Sequence, residues 1–386
     1  MPEISHDFIF NELVLREDYC NQKLLIEKLQ HSVSHGEKVL FYGKRNTGKT
    51  SLIKNIIAPY WLKSHSKGVV FFCDFLGVKT EEQLGERLAN AVQDLYNSQL
   101  QKYFESLLGL LKNLRPTVEL DDAGKPTLSL RLEKRKNFNI KDSFEFLEKI
   151  QKKGIPVLIV LDEFQDIAFV EGCDAILRKY LESCFSKKTP IVILGSKQHI
   201  LSKLFSRNQA AFYNWGKSIE VQEIPYSEYT KYMSVRFHAF KLKIEEEESK
   251  YLQDLMHRNP ECINKLCAQI CQSSPKGKIT RESILDSINH LIDNSRSLHE
   301  YFLSQFTISE QTLIIAIAFL GAVPQPTSKE FLSQIKVSQS GVMKIINKLL
   351  DSAVIYKEQK GYQLADPLLG FYIKRFRLKN FDIFKD

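Results

Sequence analysis

The first half of the chain carries apolar runs that alternate with segments of helical periodicity. The runs lie at 38–43, 69–75, 156–163 and 190–196, and a shorter one lies at 217–221. Apolar runs of this length suit strands that are buried on both faces, as in a parallel sheet covered by helices. The alternation of strands and helices therefore predicts an α/β domain built on a doubly wound parallel sheet.

The second half of the chain is helical up to a short hairpin near its end. Helical periodicity marks 227–240, 245–257, 260–272, 280–294, 309–320, 327–335 and 338–352. Thr327 and Glu330 have the spacing of a capping box, which predicts that a helix opens at Thr327. Strand-like residues at 354–356 and 362–364 flank a polar turn and predict a hairpin. Three helices followed by a hairpin is the order of a winged helix.

One insertion interrupts the α/β pattern. Residues 115–132 form two strand-like segments around an acidic turn that contains Gly124, and they predict a second hairpin. The sequence does not indicate what this hairpin does.

Length and composition limit the class of protein. A chain of 386 residues suggests two or three domains, and 43% hydrophobic with 26% charged residues is typical of a globular protein. The longest near-apolar run, 313–323, is shorter than the ~18 residues that a membrane span needs, so we expect no membrane partner. The formal charge of +8 permits an anionic partner such as nucleic acid without requiring one.

The cysteines and the N-terminus predict a cytoplasmic location. The seven cysteines include no CxxC pair, which favours free thiols in a reducing compartment over a zinc site. The first seven residues contain acids where a signal peptide has basic residues, and no apolar segment follows them. We therefore expect no targeting segment.

A phosphate-binding loop follows the first predicted strand. The segment has the pattern G-x-x-x-x-G-K-[ST] at every fixed position and opens a helix, which is the context that the pattern requires. Glycines let backbone N–H groups approach phosphate oxygens, the lysine reaches the β- and γ-phosphates, and the hydroxyl of Thr50 can bind Mg²⁺. The predicted nucleotide-binding residues are Gly43, Lys44, Arg45, Asn46, Thr47, Gly48, Lys49, Thr50 and Ser51.

Two acids at the end of the third predicted strand complete the candidate site. In an open α/β sheet, the carboxyl ends of the strands lie beside the phosphate loop. Asp162 is predicted to hold the magnesium, as a Walker B aspartate does, and Glu163 to polarise the attacking water. Lys49 is predicted to stabilise the charge that develops on the γ-phosphate.

Two further residues are candidates for contact with the γ-phosphate. Ser196 ends the fourth predicted strand and can contact the phosphate or the water, although a simple turn residue is an equal alternative. Arg207 can act as an arginine finger in cis or across a subunit interface, and it can equally be an ordinary surface cation.

These motifs resemble the archaeal-type ATPase family, a branch of the AAA+/STAND P-loop ATPases. The resemblance rests on Leu15-Arg16-Glu17, on the loop from Gly43 to Leu52, on Asp162-Glu163-Phe164-Gln165, on Leu194-Gly195-Ser196, on Ile224-Pro225-Tyr226 and on the segment from Asp366 to Tyr372. It implies a P-loop NTPase domain at 1–224, a helical lid at 225–300 and a winged-helix domain at 301–386. It further implies that Arg16 contributes to the nucleotide site.

The chain departs from the family pattern in the lid. Arg258 stands where the family usually has a glycine whose backbone approaches the nucleotide. Arg258 can instead contact phosphate as a sensor-2 arginine would, and the sequence leaves open whether Arg258 or Arg207 does so. The segment after Arg16 also lacks the usual run of acids, which leaves the adenine pocket unassigned.

By resemblance, the expected activity is binding of ATP with Mg²⁺ and slow hydrolysis to ADP and phosphate, used as a conformational switch. A winged helix that binds double-stranded DNA uses its third helix, its wing and nearby cations. The candidate contacts here are Ser338, Gln339, Ser340, Lys344 and Lys348 on the third helix, Lys357 and Lys360 in the wing, and Lys374, Arg375, Arg377 and Lys379 in the tail. The alternatives are a signalling or defence switch whose winged helix docks a protein, and a nucleotide-binding scaffold with negligible turnover. A nucleotide-dependent homo-oligomer is compatible with each of them.

Overall fold

The computed structural model describes most of the chain. The described residues are 7–16, 18–20, 22–100, 115–120, 126–131, 140–185, 188–206, 208–273, 276–335 and 337–377. They form two compact units, one spanning Gln22–Gln222 and the other combining the described residues before Gln22 with those from Glu223 onward. The domain boundaries expected after residues 224 and 300 stay predictions.

The first unit contains seven strands and six helices among its described residues. The strands are β1 (Lys38–Tyr42), β2 (Val69–Asp74), β3 (Arg115–Leu120), β4 (Pro126–Arg131), β5 (Val157–Asp162), β6 (Ile191–Gly195) and β7 (Lys217–Glu220). The helices are α1 (Lys23–Ser34), α2 (Lys49–Leu52, continuing through a π-helical turn at Ile53–Ile57 into Ala58–Ser64), α3 (Glu81–Leu95, followed by a π-helical turn at Tyr96–Leu100), α4 (Ile140–Lys152), α5 (Cys173–Ser183) and α6 (Gln198–Phe205).

Five of these strands form one parallel sheet in the order β2-β5-β6-β1-β7. All six residues of β5 and all five of β6 are buried, which explains why both strands are continuous apolar runs in the sequence. The five strands predicted from apolar runs are the five strands of this sheet. The hairpin predicted at 115–132 is also confirmed, because β3 and β4 pair antiparallel.

At the β2 edge of the sheet, one side chain pairs with the backbone of a strand residue. Gln99, in the π-helical turn after α3, accepts a hydrogen bond from the Val70 N–H (2.8 Å) and donates one to the Val70 carbonyl (3.0 Å). These are the two backbone groups of Val70 that a further strand would pair with.

The second unit is predominantly helical. Its first helices are α7 (Tyr226–Ala239), α8 (Glu246–Leu255), α9 (Pro260–Ser273), α10 (Arg281–Asn294) and α11 (Arg296–Ser304), with the short strands β8 (Leu242–Lys243) and β9 (Gly277–Lys278) paired in parallel. Then follow α12 (Ile308–Leu320), α13 (Lys329–Ile335), α14 (Gln339–Asp351), the hairpin β10 (Ile355–Glu358) and β11 (Gly361–Leu364), and α15 (Pro367–Phe376). One hydrophobic core runs through this unit from Phe8 to Ile373.

The region from α12 to β11 has the three helices and the hairpin predicted for a winged helix. Ser338 caps α14, because its hydroxyl oxygen accepts the Gly341 N–H at 3.2 Å. The capping box expected at Thr327 is wrong by one residue: Ser328 precedes α13 and accepts the Phe331 N–H at 3.3 Å. The proline at position 326 and two consecutive hydroxyl residues made the choice of cap ambiguous in the sequence.

A buried ion pair ties the N-terminal segment to α7. The Arg236 guanidinium donates to the Asp18 carboxylate at 2.8 Å and also to the Asp7 carbonyl at 3.3 Å, and both charged side chains are almost fully buried. Phe8 packs against Phe237 nearby, with ring centroids 4.8 Å apart. The residues before α1 therefore belong structurally to the second unit.

We predict that Arg236→Met lowers the free energy of unfolding by about 3–5 kcal/mol, because the buried Asp18 carboxylate loses the positive charge of the Arg236 guanidinium. Urea denaturation followed by circular dichroism measures the change. Lys231→Met on the same helix is the control, since its ion pair with Glu228 is exposed and should contribute less than about 1 kcal/mol. An equal loss in the two variants would contradict the prediction.

Within the part of the chain that the structure describes, no helix is both long enough and apolar enough to span a bilayer.

Candidate functional site

The candidate site lies where β1, β5 and β6 end. β1 and β6 pair in register so that Tyr42 lies opposite Gly195, and the Gly43 N–H donates to the Gly195 carbonyl at 3.3 Å. β5 is paired on the other side of β6. Because the strands are parallel, the residues that follow each of them emerge at the same edge of the sheet.

The loop after β1 has the backbone geometry of an anion-binding cradle. Gly48 has a φ of 78°, a value that a glycine adopts without strain, and Asn46 is left-handed with a φ of 62°. The Thr47 hydroxyl donates to the Lys44 carbonyl at 2.9 Å and closes the loop on itself. α2 begins at Lys49, so the N–H groups of its first turn, which have no acceptor within the helix, border the loop.

Lys49 folds back over this loop. Its ammonium donates to the Gly43 carbonyl (3.1 Å), to the Lys44 carbonyl (2.6 Å) and to the Thr47 hydroxyl (3.4 Å), and the residue is only 6% exposed. Burial lowers the pKa of Lys49 to about 8, against the opposing attraction of Glu163 and Asp162. These three acceptors are neutral oxygens, which bind an ammonium less strongly than an anionic oxygen does.

Thr50 and Asp162 join the loop to the end of β5. The Thr50 hydroxyl donates to Asp162 Oδ2 at 2.7 Å, and the Glu163 N–H donates to Asp162 Oδ1 at 2.8 Å. Burial raises the pKa of Asp162 above its ordinary value, although these two hydrogen bonds lower it in part. Both oxygens of the carboxylate are therefore oriented, with one directed at the phosphate loop.

Glu163 has an uncommon backbone conformation. Its φ of 47° and ψ of 39° are left-handed, which costs a residue with a side chain about 1–3 kcal/mol. The turn breaks the strand direction and opens the 3₁₀ helix Phe164–Phe169. Glu163 Oε2 accepts hydrogen bonds from the Ser196 hydroxyl (3.0 Å) and from the Gln165 amide. Glu163 and Ser196, predicted as separate candidates, are thus in direct contact.

The remaining predicted residues fall in different places. Lys44, Arg45 and Ser51 lie in the loop and the first turn of α2, as expected. Arg207 lies outside the described residues. Arg16 is exposed and belongs, with Arg258, to the other unit, and their contact with nucleotide stays a prediction.

Arg258 is engaged by its own unit. Its guanidinium pairs with Glu223 at 3.3 Å, donates to the Ile224 carbonyl and stacks on Tyr226 with its central carbon 3.6 Å from the ring centroid. Arg258 and His257 both have left-handed backbone, so the position usually filled by glycine keeps a glycine-like conformation here.

The donor atoms at the loop fit a magnesium ion that is shared with a nucleotide. In the described part of the chain, no group of three or more His, Cys, Asp or Glu residues could hold a metal unaided. Mg²⁺ commonly binds through one or two protein oxygens plus substrate phosphates and waters. The hydroxyl of Thr50 and the carboxylate of Asp162, already in contact, supply hard oxygen ligands of that kind.

Comparison with protein families agrees with this geometry. A family model described as "ATPase domain predominantly from Archaea" matches residues 20–266, and a model described as "Probable winged helix domain" matches residues 297–375. No protein of curated function matches the sequence.

Solved structures share the fold at low sequence identity. The Walker-type ATPase PabY2304 of Pyrococcus abyssi superposes with a TM-score of 0.65 at 16% identity, covering 95% of this chain and 99% of that one. The Aeropyrum pernix ORC2 protein, in ADPNP-ADP complexes, gives 0.53 at 12% identity, covering 95% and 96%. The A. pernix ORC1 protein in complex with DNA gives 0.51 at 11% identity, covering 96% and 98%.

We predict that Lys49 makes stability depend on pH in a defined window. The pKa of Lys49 is about 8 in the folded protein against 10.5 for an ordinary lysine, so between these values the unfolded chain binds more protons. The free energy of unfolding should therefore rise from pH 8 to 10 by up to ~1.4 kcal/mol per pH unit relative to Lys49→Met, and the difference should be flat below pH 8.

Urea denaturation of both proteins at pH 7, 8, 9 and 10 measures this difference. Lys63→Met, at an exposed position on α2, corrects for the loss of one lysine side chain. Parallel curves for the wild type and Lys49→Met between pH 8 and 10 would contradict the prediction.

Proposed function

Because the chain belongs to the family of ATPase domains found predominantly in Archaea, we propose that it binds ATP with Mg²⁺ and hydrolyses it to ADP and phosphate. The observation that carries the proposal is the direct hydrogen bond between Thr50 of the phosphate loop and Asp162 at the end of β5. This contact supports the proposal because it joins the two proposed metal ligands next to the phosphate loop.

Binding would use the loop and Lys49. The backbone N–H groups around Gly48 surround the phosphates, and the ammonium of Lys49 leaves the carbonyls of Gly43 and Lys44 to pair with β- and γ-phosphate oxygens. Thr50 and Asp162 are the residues that would hold magnesium, which when bound would neutralise part of the phosphate charge.

Hydrolysis would use Glu163. Its carboxylate accepts the proton of the attacking water, while Lys49 stabilises the charge that develops on the γ-phosphate oxygens. Ser196, hydrogen-bonded to Glu163, lies at the edge where the γ-phosphate would be and can contact it or the water. Arg207 is proposed as an arginine finger, in cis or from a second copy in a nucleotide-dependent homo-oligomer.

We further propose that nucleotide state switches DNA binding by the winged helix. α14 presents Lys344, and the hairpin presents Lys357 and Lys360, all exposed. Lys348, also on α14, is committed to an ion pair with Glu310 at 2.6 Å and is less available to a phosphate. The similar fold of the A. pernix ORC1 protein, which was solved with DNA, supports this proposal.

A protein-docking role for the winged helix is the second candidate. Leu298 and Tyr301, both 69% exposed, lie three residues apart on α11 and give it an apolar outer face. An exposed apolar face is typical of contact with protein rather than with phosphate. In either case we place the protein in the cytoplasm, where its seven free cysteines would remain reduced.

We predict that Lys49→Ala abolishes ATP binding and that Glu163→Gln preserves binding but lowers kcat by about 10²–10⁴-fold, because only the second variant loses the base. Calorimetry with Mg-ATP and a phosphate-release assay measure the two steps. Glu220→Gln is the matched control, since Glu220 is an exposed carboxylate at the end of β7. Tight binding by Lys49→Ala, or unchanged turnover by Glu163→Gln, would refute the site assignment.

We predict that ATP changes the affinity of the protein for a DNA duplex, and that affinity falls steeply with salt. Lys344→Ala and Lys360→Ala should each reduce the slope of log K against log salt by about 1, because each removes one phosphate contact. Filter binding with and without ATP measures this, with Lys250→Ala on α8 as the control. If neither Lys344→Ala nor Lys360→Ala changes the affinity for DNA relative to the control, the protein-docking alternative is favoured.

A further inference from the structure

We propose that Gln165 is a positioning residue that fixes the carboxylate of Glu163 for its reaction with water. The proposal rests on the ATPase function proposed above and adds a residue to it. Gln165 is the second residue after Glu163, in the first turn of the 3₁₀ helix, and its side chain is completely buried.

The side-chain amide of Gln165 has partners on both of its ends. Nε2 donates to Glu163 Oε2 and, more weakly, to Asp166 Oδ1 at 3.4 Å. Oε1 accepts the backbone N–H of Ser196 at 3.1 Å. One side chain therefore links the end of β5 to the end of β6.

The chemistry of these partners fixes which way the amide points. Nε2 faces two carboxylates, which can only accept, and Oε1 faces a backbone N–H, which can only donate. A flipped amide would place its oxygen against two anions and its NH₂ group against another donor. The observed orientation is therefore the one that satisfies all of the groups.

Asp166 does not compete strongly for this amide. Its carboxylate is already paired with the Lys197 ammonium at 3.1 Å and accepts the Gly77 N–H at 2.8 Å. The main acceptor of the Gln165 amide is thus Glu163, and the Asp166 network holds the surrounding turn.

The two oxygens of the Glu163 carboxylate differ in their hydrogen-bond partners. Gln165 and the Ser196 hydroxyl both donate to Oε2, which leaves Oε1 as the oxygen that can accept a proton from water. Glycine at position 195 gives the amide room, because a Cβ there would lie 2.8 Å from Gln165 Oε1. Gln165 is buried and is held at both ends of its amide, whereas Ser196, the other donor to Oε2, is partly exposed.

The test is a double-mutant cycle with Gln165→Met and Glu163→Gln, read by steady-state ATP hydrolysis. If Gln165 acts through the Glu163 carboxylate, Gln165→Met lowers kcat by about tenfold or more and changes KM less than about twofold. In the Glu163→Gln background the same substitution then changes kcat less than about twofold. Gln151→Met is the matched control, because Gln151 makes its hydrogen bond to Thr189 at the amino-terminal end of β6.

The outcomes separate this proposal from the function on which it rests. A wild type that binds no ATP or releases no phosphate refutes the proposed function. With an active wild type, an equal loss of kcat from Gln165→Met in both backgrounds, or no loss in either, overturns the role of Gln165. If Gln165→Met does not fold, Gln165→Leu carries the same test; failure of both to fold assigns Gln165 to the core and also overturns the proposal.

Discussion

The hydrogen bond from Thr50 to Asp162 is the contact on which the site depends. It joins residues 112 positions apart in the chain, and it forms because β1 and β5 both flank β6 and point the same way. The pairing of Tyr42 with Gly195 sets the height at which the loop leaves β1. Sliding β1 by one residue would reverse the faces of its side chains and move the loop away from Asp162. The register of these buried strands therefore decides that the phosphate loop meets Asp162.

The candidate site contains three features that lower the stability of the fold and that a purely structural turn would not need. Lys49 is a buried cation whose partners are neutral oxygens, Asp162 is a buried carboxylate, and Glu163 has left-handed backbone. Each of these lowers stability, and each is what a site that receives a highly charged ligand would require. The buried pair of Asp18 with Arg236 in the other unit, which supports the fold, instead joins two opposite charges directly.

Much of the framework could be predicted from the sequence because its signals are local. The apolar runs mark the five strands, and the glycines and lysine of the loop have a fixed spacing at the end of β1. The partners of Glu163 could not be predicted in the same way. Gln165 stands beside it in the sequence, but the 3₁₀ turn and the position of β6 decide that its amide reaches Ser196. The pairing of Lys348 with Glu310, 38 residues away, likewise appears only when α12 and α14 pack together.

The hydrogen bonds of the Gln99 amide bear on whether another molecule can add a strand to the sheet. An outermost strand with free backbone groups invites a strand from another molecule to add to it, which is a common start of aggregation. The side-chain amide of Gln99 makes with Val70 the two hydrogen bonds that the backbone of an added strand would make. Both outward-facing backbone groups of Val70 are thus already paired, and this edge of the sheet is interrupted near the amino-terminal end of β2 by a single side chain.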